Sequence, residues 1–459
     1  MIDDGPACIK DMRFTSRTFG LASSLLFAAG SLACGSSSSP PADAAAGSSP
    51  ASTAGAPPAG GSGSGGASGS PASTGGGGAG GGGDGTAGVN PAGTAGVATG
   101  GGGVAGSGLG GSGGVPAECS TPGSASITVA WAAVNKQSDA FYASAEARAL
   151  ADSVIYYQNA DHGWPKNVDM TTRTAPKAES TIDNRGTTTQ IELLARVYAA
   201  TRCPQYGDAM LGGIEFLLAA QYENGGWPQV YPNPTGYHKH ITFNDDAMIH
   251  VLTVLRAIAR GDAPYGFADA ALRGAASAAV ARGVECILAC QIEMEDGKRG
   301  WCAQHDEVTL APAQARTYEL PSVSGSEGAQ IVRFLMTIEP TTPEIQAAVE
   351  GAVAWFQAVK LTGIRVTSTT DATQPTGEDR VVVQDPAAPP LWARFYELGT
   401  DKPIFSSRCE VPECESNPFY MRRYSLAEID NERRVGYSWY GNWPSAVLTE
   451  YQAWKAKHP

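Results

Sequence analysis

Positive charge is scarce in this chain: 32 lysines and arginines stand against 45 aspartates and glutamates in 459 residues, a net charge of −13. A duplex binder needs a basic face to displace counterions, so nucleic acid is excluded as a partner. Long apolar runs are missing as well. The stretch from Phe19 to Ala29 is too short to span a bilayer, and nothing comparable follows it. None of the nine cysteines forms a C-x-x-C pair, which argues against a zinc ribbon. Alternating apolar and polar residues are rare, so little of the chain reads as half-buried strand.

What is present divides the chain in three. Met12-Arg13-Phe14-Thr15-Ser16-Arg17, then the apolar run, then Ser31-Leu32-Ala33-Cys34 read as a signal peptide over residues 1–34 that starts at Met12. The small residues before Cys34 are similar to a bacterial lipoprotein signal, with simple secretion as the alternative. Residues 35–118 are a Gly-, Ser- and Ala-rich linker that cannot bury a core. As a flexible coil, such a linker of roughly 80 residues spans about 50 Å. Residues 119–459 have the composition of one large helical domain, expected as a secreted or surface-anchored monomer that meets a membrane only through a lipid at Cys34. Outside the cytoplasm some of its seven cysteines should pair. Cys409 and Cys414 are placed to close a small loop, and Cys302 to reach Cys286 or Cys290.

Apolar residues recur at helical spacing on both sides of Gln221 to Asp246: Met210, Leu211, Ile214, Leu217 and Leu218 before it, Met248, Val251, Leu252, Leu255 and Ile258 after it. Ile345, Val349, Val353 and Phe356 mark another helix, opened by Thr342-Pro343. A Gly-Trp loop recurs at Trp164, Trp227 and Trp301, each after a helix that ends near a glutamine (Gln158, Gln221, Gln291). The repeat predicts helical hairpins arranged around a ring, because one hairpin cannot cover its own apolar face. The tryptophans serve either as sugar platforms or as plugs for helix ends.

Two acid-rich stretches precede helices. Asp183 and Asn184, with Asp245 and Asp246, offer hard oxygen donors that suit calcium, with substrate carboxylates and water completing the shell. The same carboxylates fit an inverting glycoside hydrolase with Asp183 and Asp245 as its pair. Asn244 or Asp245 is also a natural N-cap. Arg316, Arg394 and Arg408 lie in segments rich in aromatics and proline. Three such arginines on an acidic chain point to an anionic ligand, because guanidinium forks match carboxylates.

Thr181-Ile182-Asp183-Asn184, Gly225-Gly226-Trp227-Pro228-Gln229, Ile241-Thr242-Phe243-Asn244-Asp245-Asp246-Ala247-Met248 and Pro403-Ile404-Phe405-Ser406-Ser407-Arg408 together resemble the family-ten polysaccharide lyases, which are pectate lyases. The resemblance runs from about Tyr156 to Lys455. It implies an all-α fold, an (α/α) toroid, and calcium-assisted β-elimination on α-1,4-polygalacturonate that yields 4,5-unsaturated oligogalacturonides. It also implies roles for residues. Asp183 and Asp245 match the calcium and substrate-carboxylate acids, with Asp246 beside them as a further metal ligand and Asp183 also catalytic. Arg408 matches the base. Arg316 and Arg394 match arginines that hold substrate, and Asn184, Trp227 and Tyr318 join them in the expected substrate site. Cys409 to Tyr420 departs from the pattern as an added loop. An arginine base predicts activity that rises above neutral pH, because an unperturbed guanidinium holds its proton far into the alkaline range. A surface pectin-binding lipoprotein without turnover is the third reading.

Overall fold

The computed structural model describes Cys119 and residues 125–458 apart from Lys177. The expected signal peptide and the whole of the expected linker lie outside the described residues.

The helices in chain order are α1 (Asp139–Tyr142), α2 (Ala145–Tyr157), α3 (Thr188–Thr201), α4 (Pro204–Ala219), α5 (Ala247–Arg260), α6 (Ala270–Cys290), α7 (Glu327–Leu335), α8 (Pro343–Ala358), α9 (Glu413–Ser416), α10 (Asn431–Gly436) and α11 (Trp443–Lys457). Their buried faces follow the apolar spacing. α5 buries Met248, Val251, Leu252, Leu255 and Ile258, and α8 buries Ile345, Val349, Val353 and Phe356. Thr342 caps α8, its hydroxyl accepting from the Ile345 amide, and Pro343 fills the first turn, where an amide would have no partner. Neighbours in sequence pair as α3 with α4, α5 with α6 and α7 with α8. Each pair then packs on the next, α3 against α5 against α7 and α4 against α6 against α8, so the helices form two layers with one apolar cluster between them.

The Gly-Trp loops stitch these pairs together in the same way each time. The indole N–H groups of Trp164, Trp227 and Trp301 donate to the carbonyls of Val154, Leu217 and Ile287 at 2.8, 2.7 and 2.7 Å, closing the ends of α2, α4 and α6. The glutamine at each helix end bridges its own loop to the next outer helix. Gln158 donates to His162 and Ala209, Gln221 to Gly225 and Ala279, and Gln291 to Arg299 and Ala348. Buried carbonyls left without a donor cost about 1–3 kcal/mol each. Gln291→Ala should therefore lower unfolding stability by about 2 kcal/mol or more in a urea titration.

The expectation of an all-α toroid is not met. Among the described residues the loops carry six two-stranded antiparallel sheets, the longest a hairpin of Ile364–Thr370 with Glu378–Gln384. The other five pair only two residues per strand, such as Ile241–Thr242 with Gln304–His305 and Phe405–Ser406 with Arg422–Arg423. These pairs form where long loops cross at helix ends and must satisfy their amides. A two-residue strand is too short to show alternation, and the fold is a helical scaffold with β pairs built into its loop face.

Disulfides join Cys119 to Cys203 and Cys409 to Cys414. Cys302 pairs with neither Cys286 nor Cys290; all three are free and buried.

Candidate active site

The two acid-rich stretches fold alike. The amides of Thr181, Thr242 and Ser324 each donate to the carbonyl of their loop's tryptophan, at 3.1, 3.1 and 2.7 Å, and three residues further on stand Asn184, Asp245 and Glu327. In the first two copies the backbone then enters the left-handed region at successive residues, Asn184 (φ 48°) and Arg185 (61°), Asp245 (51°) and Asp246 (61°). Such conformations cost non-glycine residues about 1–3 kcal/mol each and persist where a site demands them. The turn Asp183–Arg185 packs on the turn Asn244–Asp246, which brings the predicted acids to one place. α5 starts only at Ala247 and no side chain caps it, so Asn244 and Asp245 are not the caps their position predicts.

Asp183 is 3% exposed. One of its oxygens takes a close ion pair from Lys166 and a 2.6 Å hydrogen bond from Gln229; the other accepts from the Asn184 amide at 2.9 Å. Asn184 is exposed and donates to Asn167. Asp245, also exposed, accepts from Arg394 at 3.1 Å and from Asn244 at 2.8 Å. Arg394 is 8% exposed and forms a second, close ion pair with the buried Glu327. Burial works against its charge, but Glu327, then Tyr437 and Asp245, outweigh burial and hold the guanidinium well above its ordinary range. Asp246 stands differently. Burial, then the charges of Glu327 and Asp245, push its carboxyl up to about 7.

The arginines meet around aromatic rings. Tyr318 is buried and receives Arg433 at 4.6 Å, Arg316 at 5.0 Å and Arg408 at 5.1 Å from its ring centre. Glu319 grips Arg316 by both ends of its carboxylate and accepts from the Tyr437 hydroxyl, and the ring of Tyr437 lies 4.8 Å from Arg394. Burial opposes the charge on Arg316, yet Glu319 holds it above the usual guanidinium range. Arg408 is looser: its side chain is 47% exposed and reaches Glu432 only at 3.4 Å, while Glu432 is gripped more tightly by Arg433. The Cys409 amide donates to Thr317, which ties the segment after Arg408 to the one carrying Arg316.

Tyr237 lies within electrostatic reach of both groups. It is half-buried on the short turn Gly236–Lys239, where the charges of Arg316, Glu319, Asp183 and Glu179 all act on it. Trp227 does not serve as a sugar platform: it is 0% exposed and its indole N–H is spent on Leu217. Tyr318 shows the ligand no free face either, since guanidiniums crowd its ring. Sequence reasoning missed Lys166, Gln229, Glu319, Glu327 and Glu432. Only Glu327 had a signal, its position in the third copy of the Trp-loop repeat.

The donor chemistry at Asp245 and Asp246 fits a hard cation. Asp246 is a largely buried carboxylate with two acids against it, the condition a divalent ion relieves. The protein alone does not complete a cage. Among the described residues, the group of three whose ligand atoms fall within 4.8 Å of one another is His240, Asp306 and Glu307, and there Lys239 already pairs with Glu307 at 2.8 Å. For Asp246 the sign of the pH effect follows from a folded value near 7 against 3.8 in the free residue. The folded state holds the extra proton between these values, so its stability falls as pH rises from about 4 to 7 and levels off above. Thermal midpoints in chelator should show this fall, Asp246→Asn should remove it, and calcium should offset it at pH 8.

Aspartates gathered beside arginines suit an acidic polysaccharide. A sequence model for pectic acid lyases matches residues 158–448. Two solved structures are similar at 34% identity and a TM-score of 0.59: a family 10 polysaccharide lyase from Cellvibrio cellulosa, and an aspartate-to-alanine mutant of a family 10 polysaccharide lyase from the same organism in complex with trigalacturonic acid. Each comparison covers 70% of this chain, and 94% and 95% of the respective neighbour. No curated protein matches. The chain is thus a polysaccharide lyase, which displaces the hydrolase and the non-catalytic readings. Within that class it belongs to the pectic acid lyase family.

Proposed function

We propose that this lyase cleaves α-1,4-polygalacturonate by calcium-assisted β-elimination with an arginine as base, releasing 4,5-unsaturated oligogalacturonides. The observation that carries the reading is one set of contacts: the turns bearing Asp183 and Asp245 pack together, Asp245 pairs with Arg394, Arg394 and Arg316 meet over Tyr437, and Arg316 and Arg408 meet over Tyr318. Asp245 and Asp246, with Asp183 at the neighbouring turn, would hold calcium, which when bound beside the C6 carboxylate draws charge from the C5–H bond. Arg394, fixed between Glu327 and Asp245, orients a uronate carboxylate. Lys166 and Gln229 fix Asp183 in place.

Two arginines qualify as the proton acceptor. Arg408 matches the base by its motif and is held the more weakly. Arg316 is the second reading, favoured by one observation: its charge and that of Asp183 fall on the same Tyr237, while Arg408 pairs with Glu432. As export signal and linker, residues 1–118 would deliver the enzyme to polymer outside the cell, as a monomer tethered at Cys34 or freely secreted. The test is the ultraviolet absorbance of the new double bond on polygalacturonate. Absorbance should grow in calcium, grow faster above neutral pH, and stop in chelator. Soluble products without absorbance would refute elimination.

A further inference from the structure

Elimination needs an acid as well as a base, because the departing C4 oxygen must take a proton. On the β-elimination reading above, we infer that Tyr237 is that acid.

Among the described residues, most other candidate donors near Asp183 and Arg316 are already engaged. Lys166 is spent on Asp183. His240 is bonded to Glu307 at 3.0 Å. Burial pushes the His238 imidazole down, helped by Lys166, so it is neutral at alkaline working pH and has no acidic proton to give. Tyr437 donates to Glu319, Tyr222 donates to the Lys239 carbonyl, and Tyr318 is buried under three guanidiniums. The hydroxyl of Tyr237, by contrast, is hydrogen-bonded to no described residue, and the side chain is half-buried rather than sealed. Its ring is in edge contact with His238 at 4.3 Å, which fixes the side chain.

The placement suits the step. Tyr237 lies within electrostatic reach of both Asp183, a proposed cation ligand, and Arg316. His238 accepts from the Gln229 amide through its carbonyl at 2.9 Å, and Gln229 in turn binds Asp183, so the turn carrying Tyr237 is fastened to the acid site. Burial, with Glu319, Asp183 and Glu179 outweighing Arg316, keeps the phenol protonated past its ordinary range. In the step itself, a neutral guanidine takes the C5 proton and the C5–H electron pair becomes the C4=C5 bond. The C4–O4 bond breaks with its pair on O4, and O4 takes the phenolic proton. Water reprotonates the phenolate and deprotonates the guanidinium.

Tyr237→Phe keeps the ring and removes only the hydroxyl. On polygalacturonate in calcium its kcat should fall about 100-fold, within the range for loss of a general acid, with KM held within about threefold. The decline of wild-type kcat at the alkaline end, where the phenol ionises, should vanish in the variant. A kcat within threefold of wild type, a loss confined to KM, or a lowered kcat with the alkaline decline intact each overturns the assignment. A wild-type chain that makes no unsaturated product fails the elimination reading instead, which separates the two failures.

Discussion

Arg316→Ala and Arg408→Ala should both cripple the enzyme on polygalacturonate, and they should do so in different kinetic constants. Removing the base costs about 10²–10⁴-fold in kcat at saturating substrate, the usual contribution of a general base. Removing an arginine that only grips a uronate loses a charge-assisted contact of about 1.5–3 kcal/mol, about 10- to 100-fold, and shows it in KM. The surroundings pull the assignment in opposite directions. A base must shed its proton, and Glu319 clamps Arg316 in its charged form, whereas Arg408 meets Glu432 only at 3.4 Å and is half exposed. Yet Arg316 is the one that shares Tyr237 with Asp183. The variant whose kcat collapses names the base, and free guanidine in the assay should restore part of its turnover. Two variants that each keep kcat within about threefold would end the arginine-base proposal.

How much of this was legible in the residues depended on the length scale of the signal. Helix faces spread over about three turns, such as Met248 to Ile258, read correctly because burial repeats with the helix. The acids at 183, 245 and 246 drew attention because paired turns before two helices recur in sequence, and the turns that carry them pack on each other. The role of Trp227 was not readable. A tryptophan after Gly-Gly can face a cleft or close a helix, and only the geometry shows its N–H on the Leu217 carbonyl. The carboxylates that position each arginine were hidden for a related reason. Glu319 is three residues from Arg316, but Glu327 is 67 residues from Arg394 and Glu432 is 24 from Arg408, and nothing local marks such pairs. The short sheets failed for want of length, and the Cys119–Cys203 bridge, separated by 84 residues, for want of any local constraint.

Arg394→Ala should be the most damaging substitution to the fold of the site, and its rescue distinguishes two causes. Arg394 is buried, its charge countered by Glu327 and Asp245, and Asp246 stands against the same acids with its carboxyl already pushed up to about 7. Without the guanidinium, Glu327 is left charged and buried, and breaking a buried pair from one side costs about 3–5 kcal/mol. Stability at neutral pH should fall by that amount in a denaturant titration, and activity should be lost with it. Glu327→Gln in the same chain should restore most of the stability at pH 7. It should not restore turnover, because the uronate would still lack the fork that orients its carboxylate. If the double variant were both stable and active, Arg394 would be a structural counter-ion with no hold on substrate.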